Sequence, residues 1–469
     1  MNVLKNVKNK TFDEIEVGAS ATFSHTVGQP SIELLALVSG DIDPFQVESE
    51  RRSITPTYSS TVDGAAAAAL ISIAIGMKLP GPGMHIRRQD LNFQGTVSTG
   101  DTLTATVVAA KKIEENSQIV LDCRCINQDG FELVTGNVTV TAPRQSITYS
   151  DIVSPQPTLR RGDAFVRLLR ACDKIPAVPC AIVHPCDRDS LLGPVEAAEK
   201  GIIQPVLVGP EDRIRSIARA EGIDISRYRI VPVPHSHAAA AKAVELARTG
   251  EVDALMKGSL HTDELMGAVV KSETGLRTGR RISHAFIMDV PAYPRPILIT
   301  DAAINIFPNL EDKAGIVQNA IDLAHVLGVE RPKVAILSAV ETINPKLSST
   351  LDAAALCKMA DRGQITGAIL DGPLAFDNAV SLAAAQTKGI SSPVAGQADI
   401  LLVPDLEAGN MLAKQLSYLA GAESAGIVLG TRVPIVLTSR ADSVRTRLAS
   451  TAVMALVASA AGKVAIKMR

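Results

Sequence analysis

From residue 163 onward the chain repeats one unit: a short apolar run, a loop of small or charged residues, then an amphipathic stretch. The runs are CAIVH (180–184), QPVLVG (204–209), RIVPV (229–233), ALMKG (254–258), ILIT (297–300), KVAILSA (333–339), GAILDG (367–372), ILLVPD (400–405) and PIVLT (434–438). EDRIRSIARAEG and HSHAAAAKAVELARTG lie between two pairs of them. A strand that is apolar along its whole length is buried on both faces, and helices returning over both faces bury it. The pattern therefore predicts a parallel α/β sheet. Roughly 300 residues is large for one core, so two α/β lobes with a cleft between them are expected.

Residues 1–143 follow another pattern. GAAAAALISIAIGM, Gly64 to Met77, is apolar all round and reads as a helix buried against a sheet. DLNFQG, DTLTATVVAAKKIEE, SQIVLDCRCINQ and FELVTGNVTVTA follow it; the last three are β-branched and partly alternating. Asp129-Gly130 is a hairpin signal between the last two. An α+β domain with one helix wrapped by an antiparallel sheet is expected. Pro143, Pro155 and Pro157 with scattered Ser and Thr mark 144–162 as a linker, so the second domain covers 163–469.

Acidic and basic side chains nearly cancel, 49 against 47, and there is no Trp among few aromatics. Neither a basic footprint nor a base-stacking platform for nucleic acid is present. The six Cys show no C-x-x-C spacing and the first residues lack an apolar signal core, so reduced thiols and a cytoplasmic location are expected. No apolar stretch reaches the ~18 residues of a membrane span.

Open parallel sheets bind ligands beyond the carboxyl ends of their strands. The segments there are Pro185-Cys186-Asp187-Arg188, Lys257 to Asp263, Asp301 to Asn305, Asp371-Gly372-Pro373, Pro404 to Asn410 and Thr438 to Ser443. Each alone is explained by turn and N-cap preferences; the set points to a site. Arg440 carries a rigid fork of donors suited to phosphate or a developing oxyanion, and Ser439 adds a hydroxyl donor. Asp442 and Asp301 are candidate carboxylates for moving a proton, with helix capping by Asp442 or Ser443 as the alternative. Lys257, Ser259, His261, Arg277 and Asn410 are candidate substrate-binding side chains; Arg277 belongs to a basic cluster with Arg280 and Arg281. The P-loop, dinucleotide and H-E-x-x-H motifs are absent. His235 and His237 have no third ligand in spacing and are expected to open the next helix, with no metal. Cys186 reads as a packed small residue, with a reactive thiol as the alternative.

VEAAEKGIIQPVLVGP, VDALMKGSLHT, GLRTGRRISHAFIMD, SPVAGQADILLVPDLEAGN and PIVLTSRADS together resemble the phosphate acetyltransferase and phosphate butyryltransferase family over 163–469. The resemblance implies two α/β lobes with a cleft, a homodimer or higher homo-oligomer, and transfer of a short acyl group between coenzyme A and orthophosphate. Acyl-CoA, acyl phosphate and orthophosphate are then the partners, with no tightly bound cofactor and no metal. Ser439 and Arg440 match the family's Ser-Arg pair. The acetyl branch continues to an Asp proposed as a base, where this chain has Thr446; TSRADS is nearer the butyryl branch. An acetyl-branch Arg corresponds to Met266, and Arg277 is the candidate replacement.

LALVSGDIDPF, the helix from Gly64 to Gly76, and KLPGPGMHIRRQDLNFQGTVSTGDTLTATV resemble MaoC-type (R)-specific enoyl-CoA hydratases, which have a hot-dog fold. That family's Asp-x-Asn-Pro-x-His becomes Asp41-Ile42-Asp43-Pro44-Phe45-Gln46 here. Asp41 is kept; Gln46 replaces the His. An amide neither takes nor gives a proton at neutral pH, and acid–base catalysis is worth ~10²–10⁴-fold. The domain order resembles bifunctional enoyl-CoA hydratase/phosphate acetyltransferases. Three readings follow: an acyltransferase with an impaired hydratase-like domain, an enzyme active in both domains, or a non-catalytic acyl-CoA-binding regulatory module.

Overall fold

The computed structural model describes residues 3–4, 7–28, 31, 61–62, 65–98, 100–149, 152–153, 163–437 and 442–467. They divide into two compact units, Met1–Leu159 and Arg160–Arg469.

In the first unit, β1 (Val3–Leu4), β2 (Val7–Lys8), β3 (Ser20–Thr26) and β4 (Thr61–Val62) precede α1 (Ala65–Met77). β5 (His85–Phe93), β6 (Val97–Ser98), β7 (Thr102–Ile113), β8 (Gln118–Ile126), β9 (Glu132–Thr141), β10 (Thr148–Tyr149) and β11 (Ile152–Val153) follow. Five strands form an antiparallel sheet in the order β3-β7-β8-β9-β5. β7 shows why. Leu103, Ala105, Val107 and Ala109 alternate into the core beneath α1, where Leu70, Ile71 and Ile75 are buried. The opposite face is a hydroxyl ladder: Ser24 with Thr104 at 3.0 Å and Thr26 with Thr102 at 3.0 Å. The Asp129-Gly130 turn forms between β8 and β9, Gly130 taking φ +80° and Asn127 Oδ1 accepting from the backbone N–H of Asp129 and Phe131.

The linker expected at 144–162 begins later than its composition indicated. β10 pairs with β2 and β11 with β1, so the chain stays in this unit's sheets to Val153. Proline and serine content misled because two-residue pairings need no apolar run.

The second unit opens with α2 (Asp163–Cys172), β12 (Val178–Val183), α3 (Arg188–Glu199), β13 (Ile203–Gly209), α4 (Glu211–Glu221), β14 (Arg229–Pro232), α5 (Ser236–Thr249), β15 (Ala254–Lys257) and α6 (Thr262–Val269). β16 (Ser283–Asp289), β17 (Ile297–Thr300), α7 (Leu310–Val326), β18 (Lys333–Leu337), α8 (Ser348–Asp361) and β19 (Ile369–Leu374) come next. Then come α9 (Phe376–Val380), α10 (Leu382–Thr387), β20 (Ile400–Leu402), α11 (Leu406–Tyr418), β21 (Glu423–Leu429), β22 (Ile435–Val436) and α12 (Val444–Lys467). All nine apolar runs named above overlap a strand.

These strands form one eleven-stranded sheet, β14-β13-β12-β15-β22-β21-β16-β17-β20-β18-β19. It is mixed, which corrects the expected parallel sheet. β16 is antiparallel to both β17 and β21, and β21 is antiparallel to β22. β14, β13, β12, β15 and β22 therefore run in one sense, and β17, β20, β18 and β19 in the other. Both faces are covered: Ile182 and Leu298 pack into one apolar cluster, while Ala181, Val183 and Ile299 face the other side. That double burial is why the strands read as unbroken apolar runs. Among the described residues no helix is long and apolar enough to cross a membrane.

Candidate active site

The two strand senses sort the sequence-selected loops into two groups. One follows β12, β15 and β22; the other follows β17 and β20. Asp371-Gly372-Pro373 is not a loop beyond a strand, because β19 runs through it to Leu374.

In the first group β12 is followed by His184, which takes φ +57° although it carries a side chain. Its backbone N–H donates to the Val208 carbonyl at 2.7 Å, and its Nδ1 lies 3.3 Å from the Ser259 carbonyl. Burial pushes its imidazole below the ordinary value, against the contrary effect of that carbonyl. Gly258 and Ser259 donate their backbone N–H groups to the carbonyls of Val183 and His184, both at 2.9 Å. The loop comes so close that a Cβ on Gly258 would stand 2.5 Å from the Val183 oxygen. Lys257 is buried, and its ammonium donates to the carbonyls of Gly258 at 3.3 Å and Leu260 at 3.2 Å. Ser259 is half-buried and His261 exposed at the N-cap of α6. The His261 backbone N–H donates to Glu264, whose other oxygen takes the Ser236 hydroxyl and lies 3.0 Å from His237 Nδ1. The Ser236 bond, first among several causes, holds the Glu264 carboxyl below the usual range.

β22 leads toward Ser439 and Arg440, which lie outside the described residues, as do Asp41 and Gln46 of the other unit. Asp442 and Ser443 are described. The cap of α12 is Ser443, whose Oγ accepts from the Thr446 backbone N–H at 3.1 Å. The capping alternative for Asp442 thus falls to its neighbour. Thr446 turns its own hydroxyl onto Ser443, 3.1 Å away.

In the second group Asp301 is buried, and its carboxylate is encircled. Oδ1 accepts from Ala303 N at 2.9 Å and Ile304 N at 3.0 Å; Oδ2 accepts from Asn305 N at 3.3 Å and from the Asn305 side-chain amide. A base needs a free lone pair toward its substrate, and these donors occupy the lone pairs with the loop itself. Asn410, on α11, donates to the Ala302 carbonyl at 3.2 Å and fastens the same loop. Arg281 is bonded to Asn305 Oδ1 at 2.7 Å and paired with Asp312 at 2.8 Å, and Arg280 is paired with Asp322. Arg277 differs: exposed, and without an ion pair or side-chain hydrogen bond among the described residues, it bridges by its backbone to Thr431.

An apolar floor is common to both groups. Met266 of α6, Ile304 of the Asp301 loop and Leu437 just beyond β22 pack against one cluster that includes Leu260, Leu265, Leu276 and Ile435. Ile304 and Leu437, like His184, went unnoticed in the sequence; a lone aliphatic residue in a polar loop was the available signal. Cys186 is buried, and burial pushes its thiol up to about 11. It fits the packed residue and not the nucleophile. His235 is the N-cap of α5, its Nδ1 accepting from Ala238 N at 3.2 Å. Among the described residues no cluster of His, Cys, Asp or Glu is placed to hold a metal ion.

Residues 235–455 match a family model described as phosphate acetyl/butaryl transferase. A phosphate acetyltransferase of Rhizobium meliloti is 64% identical over 296 residues, covering 63% of this chain and 93% of that protein. A phosphate butyryltransferase of Clostridium acetobutylicum is 48% identical over 263 residues, covering 56% of this chain and 87% of its own length. Among solved structures, a branched-chain phosphotransacylase from Enterococcus faecalis V583 is 32% identical, with a TM-score of 0.54 over 60% of this chain and 99% of that one. The TSRADS spelling pointed toward the butyryl branch; identity over the longer alignment is higher to the acetyltransferase, because six residues weigh little against some 290. Through its α/β unit, the chain belongs to the phosphate acetyl/butyryltransferase family.

Proposed function

We propose that the α/β unit transfers a short acyl group, acetyl to butyryl, between coenzyme A and orthophosphate. The observation that carries this reading is the 64% identity to a phosphate acetyltransferase over 93% of its length. Exposed and unspent, Arg277 supports it as the docking charge for phosphate or for a CoA phosphate. Ser439 and Arg440 are the donors for the carbonyl oxygen as it gains charge, and Asp442 is the carboxylate nearest them in sequence for taking the thiol proton. Asp301 and Asn410 position their loop, and Lys257 supports the loop that presents Ser259 and His261.

A cleft shared by both loop groups is part of this proposal. Five steps separate β15 from β20 in the sheet. At ~20–25° per step the accumulated twist is roughly 100–125°. Strands opposed in a flat sheet would then aim their carboxyl ends within roughly 55–80° of each other. The packing of Met266, Ile304 and Leu437 on one cluster supports the same convergence.

For the first unit we propose a hot-dog domain that docks acyl-CoA or serves assembly, with hydratase chemistry impaired by Gln46. Its sheet wrapped on one apolar helix supports the fold. Activity in both domains is the second reading, favoured by the retained Asp41. A regulatory module that binds acyl-CoA without turnover is the third, favoured by Thr446 and Met266.

The test is phosphate-dependent release of CoA thiol from acetyl-, propionyl- and butyryl-CoA. Release that the Ser439→Ala, Arg440→Ala double variant loses supports the proposal; tight acyl-CoA binding without release overturns it for the regulatory reading. Water addition to crotonyl-CoA, with Gln46→His alongside, separates the two enzyme readings.

A further inference from the structure

His184 stands where three parallel strands end together. Val183 of β12 pairs with Lys257 of β15, and Met256 of β15 pairs with Val436 of β22. His184 and Ser259 therefore leave the sheet at the same edge as the chain that leads to Ser439. Neighbouring strands lie about 4.8 Å apart, so two steps separate β12 from β22 by roughly 10 Å.

The imidazole is held at one nitrogen and not at the other. Ser259 offers Nδ1 only a carbonyl oxygen, at 3.3 Å, so Nδ1 carries the ring hydrogen. In the neutral ring, which burial favours, Nε2 keeps its lone pair. Nε2 has no hydrogen-bond partner among the described residues, although His184 is only 7% exposed. It is not sealed either: among the described residues, the side-chain atoms both closed to solvent and unpartnered belong to Tyr228, His284, Asn378 and Glu423. A buried ring with an open, unpartnered acceptor is a place for a ligand N–H or O–H. The charges that act on the ring are Arg213 of α4, Glu264 of α6 and Asp187 just before α3, one positive against two negative. That setting disfavours a phosphate and suits an uncharged donor.

We propose that His184 Nε2 accepts a hydrogen bond from the amide-bearing arm of coenzyme A, the uncharged stretch between its nucleotide and its thiol. The identity of the ligand rests on the proposed acyl transfer; the open acceptor does not. With the thiol at the Ser439 segment, the arm runs over Ser259 toward β12.

His184→Asn is the variant that isolates Nε2. Asn tolerates the left-handed backbone, and its amide N–H stands in for Nδ1 toward the Ser259 carbonyl, but nothing replaces Nε2. Calorimetry without turnover reads the affinity for CoA and for 3′-phospho-ADP, the same nucleotide without the arm. The expected result is CoA bound about two- to tenfold more weakly, the worth of one neutral hydrogen bond, and 3′-phospho-ADP bound equally by variant and parent. His184→Gly, equally at ease at that φ, shows the same contrast. Unchanged CoA affinity, an equal loss for both ligands, or no CoA binding by the parent chain overturns the proposal. Acyl transfer is assayed apart. The CoA contrast without transfer would fail the proposed function alone; transfer without the contrast would fail this inference alone.

Discussion

The two loop groups of the α/β unit use the same residue types in opposite ways. Beside β15, the cation Lys257 is buried and supports its own loop. Beside β17, the anion Asp301 is buried and supports its own loop, while the cation Arg277, bridged by its backbone to Thr431, is exposed and has no described side-chain partner. A charged side chain beyond a strand is thus either a fastening or a tool. What separates them is whether the loop has already taken its hydrogen bonds, and residue type does not reveal that. Arg277, Arg280 and Arg281 make the point within five residues: two are paired, one is not.

The largest effect that would sharpen this contrast is at Asp301. Asp301→Ala leaves the N–H groups of Ala303, Ile304 and Asn305 without acceptors in a buried loop. Each orphaned group costs ~1–3 kcal/mol, and partial relaxation brings the expected loss to about 3–5 kcal/mol. Urea unfolding monitored by circular dichroism checks it. A variant of unchanged stability and no activity would break the comparison and return Asp301 to the role of a base.

That outcome also shows how far the sequence could be read. The runs from CAIVH to PIVLT were legible because two-sided burial leaves unbroken apolar stretches. β16 and β21 were not, although SHAFIMD stood in view. Ser283, His284 and Asp289 interrupt one, Glu423, Ser424 and Gly426 the other, and two of these positions take tertiary hydrogen bonds. Asn319 donates to the Ser283 hydroxyl at 2.8 Å, and Ser450 accepts from the Gly426 N–H at 3.0 Å. Missing these two strands also meant missing the reversal of strand sense, hence the mixed sheet. At the candidate site, the polar loops beyond the strands were legible as loops. The division of labour within them was not, because it depends on backbone geometry such as the left-handed His184 and the close approach at Gly258.

Arg277 gives the next effect. Arg277→Ala is expected to lower kcat/KM for phosphate-dependent acyl transfer about 100-fold, the ~2.7 kcal/mol scale of a lost charged contact in a transition state. Stability should change by less than ~0.5 kcal/mol, since no described partner is lost. Arg280→Ala is the control: its pair with Asp322 is exposed, and exposed pairs contribute ~0–1 kcal/mol to stability. Its kcat/KM should stay within about twofold. Equal losses in the two variants would show the cluster acting by net charge, and the distinction between a committed and an uncommitted guanidinium would fail.

The smallest effect concerns what lies beneath the Asp301 loop. His284 is buried in β16, edge-on to Phe286 at 4.5 Å, and its Nδ1 has no hydrogen-bond partner. Burial pushes its imidazole down to about 4, and the nearby Asp301 charge opposes that only in part. An unfolded imidazole titrates near 6.5. Between these values the unfolded chain binds the proton first, so stability falls as pH drops from about 6.5 toward 4 and is fully retained above that window. At pH 6 the loss relative to pH 8 is about 1 kcal/mol. Urea midpoints across pH 5–8 should slope less in His284→Gln than in the parent chain. An unchanged slope would mean that the Asp301 charge holds the imidazolium in the folded state. The encircled carboxylate would then be acting beyond its own loop, and the line between fastening and tool would have to be redrawn on the very residue that best defined it.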